Sequence, residues 1–210
     1  MVSSDTARMG IIRRAAEPQS FVTTRYQDVR GAIKAFLADM NRSRNPLHEA
    51  HAMFEQRAQD SAESDVRRDN ARQSMEVIDA LLTMKNELAG FHFEEAPHSQ
   101  PKLQIEGVDV SVRADLWVKG ERRGEEQIGG AILRMTQGES RRQELGSYVA
   151  TLIRMHLDQN NPTNRVPANR LCMAIDVRHG GVFVAPNAIT RRMNDITAAC
   201  RTINALWGKA

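Results

Sequence analysis

The residue best placed to do chemistry in this chain is Asp115. It stands in an alternating stretch in which Val108, Val110, Val112, Ala114, Leu116 and Val118 interleave with Asp109, Ser111, Arg113, Asp115, Trp117 and Lys119. That period of two predicts a strand with one buried face. A carboxylate on its polar face can hold a divalent cation through hard oxygen ligands, or it can simply pair with Arg113 two residues away. His48 and His51, three apart on a predicted helix, have a spacing that can share a metal. No third ligand is evident nearby, so surface histidines are the simpler reading. The pairs Arg67-Arg68, Arg122-Arg123, Arg141-Arg142 and Arg191-Arg192 offer phosphate contacts, although each run is short enough to be a solvated face. Arg122-Arg123 stands out, because its turn is expected to project from the hairpin next to Asp115. No Gly-rich phosphate loop, Ser-His-Asp or Cys-His constellation can be read.

Composition narrows the classes of protein that could carry these groups. The 210 residues are 41% hydrophobic and 26% charged, close to globular averages, and long enough to bury a substantial core. The net charge of +3 does not by itself announce a nucleic-acid binder. The bases are unusual in kind, since only Lys34, Lys85, Lys102, Lys119 and Lys209 are lysines and the other 24 of the 29 are arginine. Arginine forks suit phosphates and carboxylates, while a coding bias accounts for the excess more simply. Cys172 and Cys200 lie far apart without a CxxC, which argues against structural zinc and for reduced thiols. The N-terminal residues lack an apolar signal core and no run approaches a membrane span, so a soluble, cytoplasmic protein without membrane contact is expected.

The elements that must position Asp115 follow from periodicity. Residues 1–24 read as a loosely ordered arm, and residues 25–73 as a helical extension. Within that extension Val29, Ile33, Phe36, Leu37 and Met40 mark a first helix, which ends at Asn41–Pro46. A second stretch begins near Leu47 and becomes highly charged between Gln56 and Gln73. A third helix is predicted from Ser74 to Gly90, with a stripe of Met75, Ile78, Leu81, Leu82 and Leu88 and Gly90 as its C-cap. The strand around Asp115 follows, then the turn Gly120–Gly124, a more apolar strand from Ile128 to Thr136, and a helix from about Arg141 to Asp158. Two short strands, Leu171–Val177 and Gly181–Ala185, join through Arg178-His179-Gly180. A closing helix from about Ala188 carries the strongest amphipathic stripe. The order predicts an α+β (α/β-like) fold, with a central mixed sheet flanked by helices in residues 74–210.

The region from Ser74 to about Ala185 resembles the PD-(D/E)XK nuclease superfamily, particularly its RecB-like branch. The resemblance rests on chain order: a helix, then Arg113-Ala114-Asp115-Leu116, a following strand, and a helix bearing Gln143-Glu144-Leu145-Gly146-Ser147-Tyr148, one residue longer than the usual Gln-to-Tyr signature. It implies a restriction-endonuclease-like core in which Asp115 is a metal ligand and the next strand carries Glu-x-Lys. That strand reads Gly129-Gly130-Ala131-Ile132-Leu133-Arg134. Ile132 stands at the Glu place and cannot ligate, and Arg134 stands at the Lys place. Arg134 stays protonated, so it can stabilise a phosphate but cannot serve as a general base. An active site would then need a relocated acid, Glu87 or Glu144, to hold Mg²⁺ with Asp115 for phosphodiester hydrolysis. The alternative is a degenerate site on a nucleic-acid-associated binding or assembly module. Whether the chain is an enzyme stays open at this level. Arg113, Arg122, Arg123, Arg141 and Arg142 are the expected nucleic-acid contacts. Ile189, Met193, Ile196, Ile203 and Trp207 offer a surface to a second copy, or pack on the sheet of their own chain.

Overall fold

A computed structural model describes residues 9–10, 12, 26–135 and 142–207. From residue 26 onward the chain runs first through the helices α1 (Gln27–Ala38), α2 (Asn45–Gln59), α3 (Asp65–Thr83) and the short α4 (Lys85–Leu88). Strands β1 (His92–Glu95), β2 (Leu103–Ile105), β3 (Val108–Val110), β4 (Leu116–Arg122) and β5 (Glu125–Arg134) follow. Then come α5 (Arg142–Asn160), β6 (Val166–Pro167), β7 (Met173–Asp176), β8 (Gly181–Val184) and α6 (Thr190–Trp207). The fold is α+β, as expected from the order of periodicities. Among the described residues no helix is long and apolar enough to cross a membrane.

The main sheet has the order β1-β4-β5-β7-β8, with β6 also pairing β5. β1, β4 and β5 form an antiparallel meander. α5 then carries the chain across so that β7 lies parallel to β5, the connection that parallel neighbours require. β8 returns antiparallel to β7. β4 and β5 are joined by Arg123 (φ 55°) and Gly124 (φ 79°), both left-handed as a two-residue hairpin of matching twist demands.

Several expected boundaries shift, each for a physical reason. The alternation from Val108 to Lys119 is not one strand. β3 pairs only with β2, in a separate two-stranded sheet, and regular structure resumes at Leu116. Between them the side-chain amide of Gln100 satisfies Ala114 twice, accepting from its N–H at 3.1 Å and donating to its carbonyl at 2.8 Å. A loop side chain thus does there what a neighbouring strand would otherwise do. β1, the edge strand beside β4, follows a loop with no alternating pattern to announce it. The helix expected over 74–90 starts nine residues earlier, at Asp65, where the Ser64 side chain caps the Arg67 N–H. It breaks at Met84, and Gly90 is not left-handed.

Two apolar clusters sandwich the sheet. On one face Val29, Ile33, Leu37, Phe54, Ile78 and Leu81 from α1–α3 pack with Leu116, Val118, Leu133 and Ile175. On the other, Ile153, Leu157 and Cys200 from α5 and α6 pack with Trp117, Ile128 and Cys172. The N-terminal helices therefore share one core with the sheet. Gly129 explains how tightly β5 is covered: a Cβ there would stand 2.0 Å from the Leu171 carbonyl oxygen. Gly129 thus serves close backbone approach, while a Cβ at Gly130 would stand 2.9 Å from the Ile153 side chain.

Candidate functional site

Asp115 lies just before β4, and its backbone is stitched on both sides. Its N–H donates to Ala131 O at 2.8 Å, and its carbonyl accepts from Ala96 N–H at 3.2 Å. The side chain is not on a solvent face. Its Oδ2 accepts from Arg30 Nη1 at 2.6 Å and from the Leu133 backbone N–H at 2.8 Å, with only 13% of the side chain exposed. The register of β4 with β5 ends at Leu116↔Ala131. Two residues further on, the Asp115 carboxylate takes the place of the missing strand and satisfies the Leu133 N–H. Arg30 reaches it from α1, 85 residues earlier in the chain. The expected pairing with Arg113 is not formed, and Arg113 is exposed.

On β5, Ile132 packs against the cluster beneath α5. Arg134 is half-buried, and its Nη1 is buried without a hydrogen-bond partner. The parallel register sets Arg134 opposite Asp176 on β7. Asp176 is 2% exposed and its Oδ1 lies 2.9 Å from His179 Nδ1. Gly180, left-handed at φ 66°, then turns the chain into β8. Arg178 bonds Glu76 of α3 at 2.5 Å. The end of the sheet thus gathers Arg30, Asp115, Arg134, Asp176 and His179 where two parallel strands finish, a common place for binding groups in open sheets. Sequence reasoning missed Asp176, although it is the one acid in the apolar run Leu171–Val177 and could have been noticed. It also missed Arg30, for which no local signal exists.

The other expected residues do not gather there. Glu87 is exposed on α4, which leads to the end of β1 paired with Lys119, whereas Asp115 precedes the opposite end of β4. Glu144 is exposed in the first turn of α5. There its charge, after the hydrogen bond to Asp195 and partial burial, helps push the Tyr148 phenol up. Arg122 and Arg123 are exposed at the β4–β5 turn, the far end of a seven-residue strand from Asp115, or roughly 20 Å away at strand rise. The expectation that this turn sits next to Asp115 is corrected by the hairpin geometry. Arg141 and the side chain of Arg142 lie outside the described residues.

These donors do not fit a divalent cation as arranged. Arg30 and the Leu133 N–H both occupy the Asp115 Oδ2, and Ile132 has no lone pair to offer. Among the described residues no three His, Cys, Asp or Glu side chains converge as a metal-holding group, His48 and His51 included. On α6, Cys200 is buried, Met193, Ile196 and Ile203 are half-buried, and Trp207 is 50% exposed, while Ile189, just before the helix, is half-buried. The stripe is therefore partly spent on its own chain. Comparison with known protein families, with curated proteins and with solved structures finds no match to this chain.

Proposed function

We propose that this chain is a PD-(D/E)XK-like protein whose metal chemistry is degenerate and which serves as a nucleic-acid-associated binding or assembly module. The observation that carries this reading is the Asp115 carboxylate, bonded to Arg30 at 2.6 Å and to the Leu133 N–H at 2.8 Å. An acid in a nuclease would face a cation, whereas this one closes a strand end and anchors α1. The order helix, three-stranded meander, crossover helix and parallel strand supports the ancestry. Arg134 and exposed Arg113 make no ion pair among the described residues, which suits them to phosphate oxygens.

Fluorescence anisotropy with labelled single- and double-stranded DNA tests this. Binding should weaken as salt rises, and Arg134→Gln should lower affinity by about 5–10-fold and flatten the salt slope, as the loss of one phosphate contact does. Absence of salt-dependent binding to DNA and RNA alike would remove the nucleic-acid part. Mg²⁺-dependent cleavage abolished by Asp115→Ala would instead establish the active nuclease. Light scattering tests assembly: a strict monomer at high micromolar concentration argues against a second copy on α6.

A further inference from the structure

A second place in the molecule has the opposite character, a cavity rather than a closed network. It opens between the C-terminal end of α1, the α3–α4 junction and the β1–β4 edge, with a volume of about 720 Å³, within the usual range of ligand pockets, about 300–1,000 Å³. Its floor is made of core side chains, Leu37, Leu81, Leu88 and Phe93. Phe36 and Phe91 stand on its walls. Met40, 97% exposed, sits at the rim with nothing to cover it.

The charged groups around this cavity do not balance. Arg42, Arg44 and Lys119 line it against Asp39 and Glu94. Lys119 and Glu94 are paired at 2.5 Å. The Asp39 carboxylate accepts from the Asn41 and Ser43 backbone N–H groups at 3.1 and 2.7 Å, which leaves it holding the loop. Arg42 is fixed in place: its guanidinium lies 5.1 Å from the Phe93 ring centroid and 6.0 Å from that of Phe36. One nitrogen donates to Phe91 O at 2.9 Å, and that is its only side-chain hydrogen bond among the described residues. Its backbone is left-handed, φ 50°, an uncommon conformation for an arginine. Burial pulls its pKa down from the ordinary range, with the Asp39 charge opposing, as for a cation short of compensation. Exposed Arg44, four residues before His48 on α2, makes no ion pair among the described residues.

We propose that this cavity binds a small amphipathic anion, with a planar apolar body against Phe36, Phe91 and Phe93 and an oxyanion, carboxylate or phosphate, at Arg42 and Arg44. Nothing in this inference depends on nucleic-acid binding at the Asp115 end.

The test uses two dyes that share one apolar body. The full chain is titrated with 1-anilinonaphthalene-8-sulfonate and with N-phenyl-1-naphthylamine, which lacks the acid. The sulfonate should bind at one site per chain and about 10-fold tighter than the neutral dye, the worth of one charge-assisted contact. Arg42→Asn suits a left-handed backbone and should weaken the sulfonate about 10-fold relative to the neutral dye. Arg44→Gln, at an exposed position, should weaken it about 3-fold and decides the matter if Arg42→Asn does not fold. Displacement of the sulfonate by 2-naphthoate or by 2-naphthyl phosphate tells which acid is preferred, and inorganic phosphate alone should not displace it. Equal affinity for the two dyes, or sulfonate affinity within twofold of wild type in the folded variants, overturns the proposal.

Discussion

The Asp115 end of the sheet and the Phe36–Phe93 cavity differ in what their polar groups have left to give. At the sheet end, Asp115 is bonded to Arg30 and to a backbone N–H, and Asp176 is held by His179. The acids there are held by the fold, and the Arg134 Nη1 left without a partner is buried rather than set beside open space. At the cavity, the acids are the spent groups, and a guanidinium sits on two aromatic rings with donors unused. Residue type alone therefore does not mark a site. Unspent capacity beside open space does.

The sharpest way to break that contrast is Asp115→Ala. If Asp115 is structural, its loss leaves the Leu133 N–H and the partly buried Arg30 unpaired and should cost about 2–4 kcal/mol in urea unfolding. A functional acid would be removed with little loss or even a gain. Arg30→Gln should cost less, about 1–2 kcal/mol, because the arginine side chain is 36% exposed and solvent screens the pair. A double-mutant cycle on the two should return a coupling of about 1 kcal/mol or more. Arg42→Asn should shift stability by no more than about 1 kcal/mol, even though it abolishes the anion preference of the cavity. A large destabilisation there would make Arg42 a structural group as well and erase the difference between the two regions.

The smallest expected effect is a pH response from outside both regions. His156 on α5 is 1% exposed, and burial lowers its pKa from the usual 6.5. The unfolded chain takes up the proton at higher pH than the folded one. Stability is therefore full above about 6.5 and is lost as pH falls through that value toward the depressed folded pKa. Thermal unfolding between about pH 7.5 and 5.5 should show a decline that His156→Gln flattens.

Much of the fold was legible because it is written in local periodicity. The meander around β4 and β5, the crossover helix α5, the hairpin of β7 and β8 and the closing helix α6 all follow from spacing, turn residues and the switch from period 3.6 to period 2. The strand break before Asp115 was not legible, since Gln100 satisfies Ala114 from a loop 14 residues away. Nor was β1, a four-residue edge strand with no alternation of its own. Asp115 was legible as a special residue, through its place in an apolar-alternating run. Its role was not, because its partner comes from a helix that sequence spacing could read only as an extension.

By itself, then, the sequence determined an α+β chain with a mixed sheet, a lone carboxylate inside an apolar-alternating run, and an isoleucine where the nuclease resemblance expects a metal ligand. Each of these depends on neighbours within a few residues, which the pattern of apolar and polar groups encodes directly. Only the tertiary structure decided that Asp115 belongs to Arg30, that Asp176 stands opposite Arg134, and that Arg42 rests on Phe93 above an open cavity. Those pairings join segments about 40 to 90 residues apart, and they exist only because burial of the sheet's two faces brings those segments together. No local spacing carries that information.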